Sequence, residues 1–388
     1  MTDGDAGSAR EADFASRASR AGRVARAAGR IESEGIAAAL FEDTEGRRDR
    51  SIRYLTGHPG DALLVLAADG RSVLVAWDAN LARKLSAADE ILAYGDFARL
   101  PLRALAEVLA RLGLPAGSKV ELPSTFAYPR YVDFVEGLPA YDLVCRSDGL
   151  DGFVLGLRAR KDPGELGIYR RAFSVTNALI DEIEAGVRSG RILTELDAAL
   201  FVDRFGREAG CEGLGFETLA AGPSRSWGIH AFPPYGAGPF ATEGLSILDF
   251  GLRLEGYATD VTMSFARGAP GRERERMIAL VERARDEAVA MLAPGMACRD
   301  VALHVDGIFA EAGLAMPHGL GHGIGLDAHE APSVRSREDC LDLLEPGHIV
   351  TIEPGLYDPE LGGVRLEDDV LITETGHEVM TRSRIVRL

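Results

Sequence analysis

The chain has 388 residues, too many for one ordinary domain and suited to two. Hydrophobic residues make up 46% and charged residues 27%, which allows sizeable cores and excludes wholesale disorder. A formal net charge of −17 repels phosphate backbones and anionic lipid, so neither nucleic acid nor a membrane is expected as a partner.

Residues 1–19 are polar and read as a flexible lead-in without the apolar segment of a signal peptide. No apolar run reaches the roughly 18 residues that a bilayer span requires. Cys145, Cys211, Cys298 and Cys340 are widely spaced and form no CxxC pair, as expected of a reducing, cytoplasmic setting. From residue 20 to 155 helix and strand patterns alternate. GIAAALF (35–41), DALLVLA (61–67) and RSVLVAW (71–77) read as strands, PLRALAEVLARLGL (101–114) as an amphipathic helix, and KVELP as a further strand. A small α/β domain with a mixed sheet follows, and it holds no catalytic cluster. The charged stretch GLRARKDPGEL (156–166) marks a boundary, and a second domain is expected over 160–388.

That second domain opens with a helix whose apolar positions are Ile168, Ala172, Val175, Leu179 and Ile183. An internal repeat then matters more. ALFVDRFGREAG (199–210) returns as ALHVDGIFAEAG (302–313), each copy followed by strand-like sequence, as in a duplicated helix-helix-strand-strand unit. Asp249 and Asp260 follow the first copy at nearly the spacing with which Glu353 and Glu367 follow the second. Duplication would therefore bring four acids to one centre. A hairpin centred between Leu254 and Glu255 would set Asp249 directly opposite Asp260, on strands apolar enough to be buried. Such carboxylates repel one another unless one is protonated or a cation lies between them.

HGLGHGIGLDAHE adds His318, His322 and His329, threaded through a glycine-rich loop that lets backbone approach closely. Four carboxylates and one imidazole, His322, form an oxygen-dominated ligand set. It suits two divalent ions such as manganese, cobalt, iron or zinc better than a structural zinc site.

LDFG…YATDVT, HGLGHGIGLDAHEAP, TIEPGLY and GVRLEDDVLITETGHEVMT resemble, in order and spacing, the pita-bread-fold metallopeptidases, the family of creatinase, prolidase and aminopeptidase P. SIRYLTGHPGD (51–61) looks like the N-terminal domain of its creatinase/prolidase branch. The resemblance implies an α/β (α+β) protein with a creatinase-like domain over 20–155 and a pita-bread catalytic domain over 160–388. It implies that Asp249 holds one metal, that Asp260 and Glu367 bridge both, and that His322 and Glu353 complete the second. A bridging hydroxide would attack the scissile carbonyl. His329 would stabilise the oxyanion, Glu353 would carry the proton to the leaving nitrogen, and His318 and Arg365 would position ligands or substrate. It further implies a homodimer whose N-terminal domain lines a neighbour's active site, with His58 a residue to look for there.

Three positions depart from the family pattern. The histidine usual upstream of the first metal Asp is represented by His230, displaced within GIHAFPPYGAGPF. Leu245 stands where an acid is common, and Met263 where an arginine is. The leading expectation is a metal-dependent hydrolase of Xaa-Pro bonds in short peptides, either dipeptidase or aminopeptidase. The alternative keeps the metals but takes a small zwitterionic metabolite, in the manner of ectoine hydrolase or dimethylsulfoniopropionate lyase; His230 and Met263 favour it. A metal-free binding module would have lost ligands, and this chain keeps them all. Arg335 and Arg337, after His329, are candidates to receive a substrate carboxylate.

Overall fold

The computed structural model describes residues 19–269 and 271–388; the expected lead-in lies, except for Ser19, outside them. The described residues divide into two compact units, one ending at Arg158 and the other running from Ala159 to Leu388.

In the first unit a helix over 19–33 (α1) precedes strand β1 (Ala38–Asp43), helix α2 (Ser51–Thr56) and strands β2 (Ala62–Ala67) and β3 (Ser72–Ala76). Helix α3 (Ala79–Leu85), β4 (Glu90–Ala93), α4 (Pro101–Arg111), β5 (Lys119–Leu122), α5 (Tyr128–Gly137), β6 (Asp142–Cys145) and α6 (Leu150–Ala159) follow. One mixed sheet runs β4-β3-β2-β1-β5-β6, antiparallel among β1, β2 and β3 and parallel elsewhere. Every residue of β1, β2 and β3 is buried, which is why those strands read as continuous apolar runs. Pro101 starts α4, whose Ala104, Leu105, Val108 and Leu109 pack into the core. His58 is fully buried, and burial pushes its pKa down.

The second unit begins with α7 (Pro163–Arg188) and α8 (Glu195–Glu208), each started by a capping box, Asp162 with Glu165 and Thr194 with Asp197. The buried stripe of α7 centres on Tyr169, Ala172, Thr176, Leu179 and Ile183. Strands β7 (Gly213–Leu214), β8 (Leu219–Ala221), β9 (Gly244–Phe250), β10 (Leu252–Leu254), β11 (Tyr257–Ala258) and β12 (Val261–Arg267) follow. Then comes the second helix pair, α9 (Gly271–Met291) and α10 (Cys298–Glu311). Its strands are β13 (Gly321–Gly323), β14 (Glu330–Val334), β15 (Ile349–Ile352), β16 (Gly355–Asp358), β17 (Gly362–Arg365), β18 (Asp368–Ile372), β19 (His377–Val379) and β20 (Ile385–Arg387). Helices α8 and α10 carry the two repeat copies and have 14 residues each. The first helix pair packs on β9 and β12, the second on β15 and β18, giving two related half-cores.

The first acidic hairpin differs from its expected register. Asp249 on β9 lies opposite Thr262 on β12, and the turn is Glu255-Gly256, both at positive φ. Two such residues make the tight turn that suits strand twist, although a glutamate rarely adopts the left-handed conformation. The turn's centre thus moves by one residue and the cross-strand pairing by two. Because side chains alternate with period two, Asp249 and Asp260 keep a common face, set diagonally and not opposite.

Candidate metal centre

His322 sits mid-strand on β13, between β14 and β15, a three-residue strand within a glycine-rich segment that is otherwise irregular from His318 to His329. A Cβ at Gly321 would lie 2.0 Å from the Thr351 carbonyl oxygen, and one at Gly323 would lie 2.1 Å from that of Ala331. Only glycine permits this approach. The His322 backbone N–H donates to Thr351 Oγ1 (3.1 Å), and ring Nδ1 lies 3.1 Å from the Gly323 carbonyl oxygen. Nε2 is thereby turned toward the acids, 3.5 Å from Glu353 Oε1 and 3.8 Å from Asp260 Oδ2. Burial and the neighbouring His329 ring hold the imidazole down to about 4, so it is neutral near pH 7.

Asp260, His322 and Glu367 offer ligand atoms that all lie within 4.8 Å of one another. Asp249 and Glu353 line the same cavity. Asp249 lies within β9, while Asp260, Glu353 and Glu367 stand one residue outside β12, β15 and β18, where the ladders break. Burial pushes the Asp260 and Glu367 carboxyls well above the ordinary range, and their acidic neighbours push them further. Glu353 is pushed up to about 8, chiefly by burial, with Asp249 adding to it and Arg365 opposing.

One buried arginine is built into this cluster. The Arg365 guanidinium donates through Nη2 to Asp249 Oδ2 (2.5 Å) and through Nη1 to Tyr357 OH (2.9 Å) and the Ile229 carbonyl (3.1 Å). Its Nε donates to Thr262 Oγ1 (3.0 Å), whose hydroxyl donates in turn to Glu367 Oε2 (2.6 Å). His318 Nε2 lies 3.0 Å from the same Tyr357 hydroxyl. Tyr357 and Thr262 went unnoticed in the sequence. Alternation along VTMSF, with Thr262 and Ser264 polar and buried between apolar neighbours, was the signal available for Thr262.

The cavity encloses about 590 Å³. All the expected site residues line it: Asp249, Asp260, His322, Glu353 and Glu367, with His318, His329, His230 and Arg365. His230 lines the same cavity as Asp249, His318 and His329 and is close enough to act on each of them electrostatically. Arg335 lines the cavity, but Arg337 does not. Phe216, Leu219, Ile229 and Pro234 supply an apolar wall. Two departures from the family pattern prove remote from it. Met263 packs in the core beneath α7 and α8, and Leu245 in the core beneath α9 and α10. Neither side chain faces the cavity, which corrects the expectation that Met263 bears on substrate choice.

Does this set of groups fit a divalent cation? Asp249 Oδ1 is buried and has no hydrogen-bond partner among the described residues. Burial and mutual repulsion keep the Asp260, Glu353 and Glu367 carboxyls from ionising together, and divalent cations would relieve that repulsion. Oxygen donors, one neutral imidazole and an orphaned carboxylate oxygen are what such ions require. The residues fit.

Residues 167–374 match the profile of metallopeptidase family M24, and residues 23–128 that of the creatinase/prolidase N-terminal domain. The uncharacterized peptidase YqhT of Bacillus subtilis is 28% identical over 340 residues, covering 86% of this chain and 91% of that protein. The X-Pro aminopeptidase of Thermotoga maritima superposes with a TM-score of 0.82 at 24% identity, over 94% of this chain and 99% of that one. An Xaa-Pro dipeptidase of Bacillus anthracis gives 0.81 at 26% identity, over 95% and 100% of the two chains.

Proposed function

The chain belongs to metallopeptidase family M24, and from that premise we propose that it hydrolyses Xaa-Pro amide bonds in short peptides with two divalent ions. The observation that carries the reading is the convergence of Asp249, Asp260, His322, Glu353 and Glu367 on one cavity that also has a histidine-lined side and an apolar wall. The likeness to Xaa-Pro peptidases along nearly the whole chain supports it.

In this reading those five residues hold the ions. When bound, divalent ions lower the pKa of water toward neutrality and polarise a carbonyl. Arg365 and Thr262 keep Asp249 and Glu367 oriented. His329 donates a hydrogen bond to the oxygen on which negative charge develops, and Glu353 moves a proton to the departing nitrogen. A proline nitrogen carries no N–H, so the wall of Phe216, Leu219, Ile229 and Pro234 can select its ring by fit without an acceptor to satisfy. Arg335 lines the cavity 3.6 Å from Asp339 Oδ2, and in this reading it receives a free substrate carboxylate, which would favour dipeptides over longer chains.

The test is release of proline from a panel of Xaa-Pro dipeptides by protein loaded with Mn²⁺ or Co²⁺, together with Asp260→Asn. Turnover that disappears in the variant supports the reading. A metal-loaded protein that turns over no member of the panel sinks it. The small-zwitterion alternative is left resting on the segment around His230 alone, since Met263 lies in the core.

A further inference from the structure

The segment from Gly222 to Gly238 contributes Ile229, His230, Ala231, Phe232 and Pro234 to the cavity wall, yet contains no helix or strand. Phe232 is 94% exposed at its rim. An irregular segment of this length needs an anchor to present side chains at defined positions. Arg365 holds the Ile229 carbonyl and the Ser226 hydroxyl donates to the Leu245 carbonyl, and a buried carboxylate ties the two ends of the segment together. Glu195, the first residue of α8, is only 2% exposed. Its Oε1 accepts the Gly222 N–H (2.8 Å) and Arg225 Nε (3.0 Å). Its Oε2 accepts the Gly236 N–H (2.8 Å) and lies 2.9 Å from Arg225 Nη2. Both ends of the segment and one arginine within it thus converge on a single acid.

Two further observations agree. Arg225 carries the hold inward, donating to the Pro233 carbonyl (2.8 Å), next to Phe232. The glycines are fitted to the carboxylate. A Cβ at Gly222 would lie 2.1 Å from the Pro239 carbonyl and 3.3 Å from Glu195 Oε1, and one at Gly236 would lie 3.3 Å from Glu195 Oε2.

We propose that Glu195, acting with Arg225, is a positioning pair that sets substrate specificity by fixing Phe232 as an aromatic rim for apolar side chains of the substrate. Neither residue touches the acids of the metal centre. This rests on the peptidase reading only for the substrates used; the mechanical hold on the segment does not.

The test therefore has two arms. In the first, amide hydrogen exchange compares wild type with Glu195→Gln, which keeps the packing but loses the charge and one acceptor. Faster exchange confined to residues 220–238 is expected, with the strands around Glu353 and Glu367 unchanged; unchanged exchange at Gly222 and Gly236 overturns the proposal whatever the substrate. In the second, Gly-Pro and Phe-Pro are compared with metal-loaded Glu195→Gln, Phe232→Ala and the double variant. Each single change should raise KM for Phe-Pro by about tenfold and spare Gly-Pro, with kcat and metal content held. The double variant should be no worse than Phe232→Ala, because Glu195 acts through that ring. Additive losses, or equal losses on both substrates, overturn the proposal. If Glu195→Gln does not fold, Arg225→Met reads the same contact from its half-buried side, with the same outcomes deciding. Failure of wild type to cleave either dipeptide would count against the peptidase reading and leave the exchange arm to decide this one.

Discussion

Arg365 Nη2 lies 2.5 Å from Asp249 Oδ2, a pairing between residues 116 positions apart that joins the two halves of the acidic cluster. The guanidinium is 1% exposed, so this charge is held away from water and depends on its partners.

Removing that charge should uncover the repulsion it offsets. Arg365→Met leaves Asp249 buried without its counter-charge, and the metal-free protein should lose about 3–5 kcal/mol of stability, the usual effect of breaking a buried pair. Added Mn²⁺ should then raise the melting temperature more in the variant than in wild type, since the ion meets an uncompensated carboxylate. Urea unfolding and thermal melts with and without metal check both statements. A variant as stable as wild type without metal would contradict the account of Arg365.

Metal-free protein should also become less stable as pH rises. Glu353 is raised to about 8 from an ordinary 4.5, and Asp260 and Glu367 move the same way. A carboxyl whose folded pKa is raised contributes stability that is complete below its unfolded pKa and lost as pH climbs through the folded value. For Glu353 the loss spans about pH 4.5 to 8. Divalent ions replace the protons, so the increase in melting temperature on adding Mn²⁺ should widen from pH 5 to pH 8. Parallel melts of chelator-treated and metal-loaded protein across that range measure it.

An opposite trend should arise at His348. Burial, and then the charges of Lys161 and Arg160, hold its imidazole down to about 4, and its Nδ1 accepts the Glu345 N–H at 3.1 Å. Only the neutral ring can accept that bond. Here the folded pKa lies below the unfolded one, so the stability is complete above about 6.5 and lost as pH falls toward 4. The loss should approach about 2–3 kcal/mol. His348→Gln should show a shallower decline between pH 6.5 and 4 than wild type in urea unfolding, and an equal slope would remove His348 from the explanation.

Much of the centre could be read before any coordinates. A duplicated pair of helices followed by acids at similar spacing leaves a long-range trace, whereas the alternation along VTMSF points to Thr262 only once its burial is known. What stayed hidden depends on backbone detail that side-chain pattern does not encode. Glu255 takes positive φ, so the hairpin centre was misplaced by one residue, although period-two geometry still kept Asp249 and Asp260 on one face. Met263 and Leu245 looked like changes to the substrate wall because sequence position does not say which face of a strand a residue occupies. The half-buried edge strand β4 gave too weak an apolar signal to notice, and the hold of Glu195 on a segment nearly thirty residues away had no local signature at all.

The glycines beside His322 offer the sharpest test of how the centre is built. If they only confer flexibility, alanine at Gly323 should be mild, since φ there is not in the left-handed region. The geometry says otherwise. A methyl group at 323 would sit 2.1 Å from the Ala331 carbonyl oxygen and 2.5 Å from its carbon, both backbone atoms that no rotamer change can move. β13 and β14 would have to separate, and His322 would move with its strand, away from Asp260 and Glu353. Gly323→Ala should cost about 1–3 kcal/mol in stability, as overpacking does, and should weaken Mn²⁺ binding by more than the stability loss explains. Gly307→Ala is the control: it lies within α10 with nothing within 4 Å of its added Cβ, so neither property should suffer. Calorimetric titration of both variants with Mn²⁺, beside their unfolding curves, decides the matter. Unchanged metal affinity in Gly323→Ala would show that β13 does not need its closeness to β14 in order to aim the imidazole.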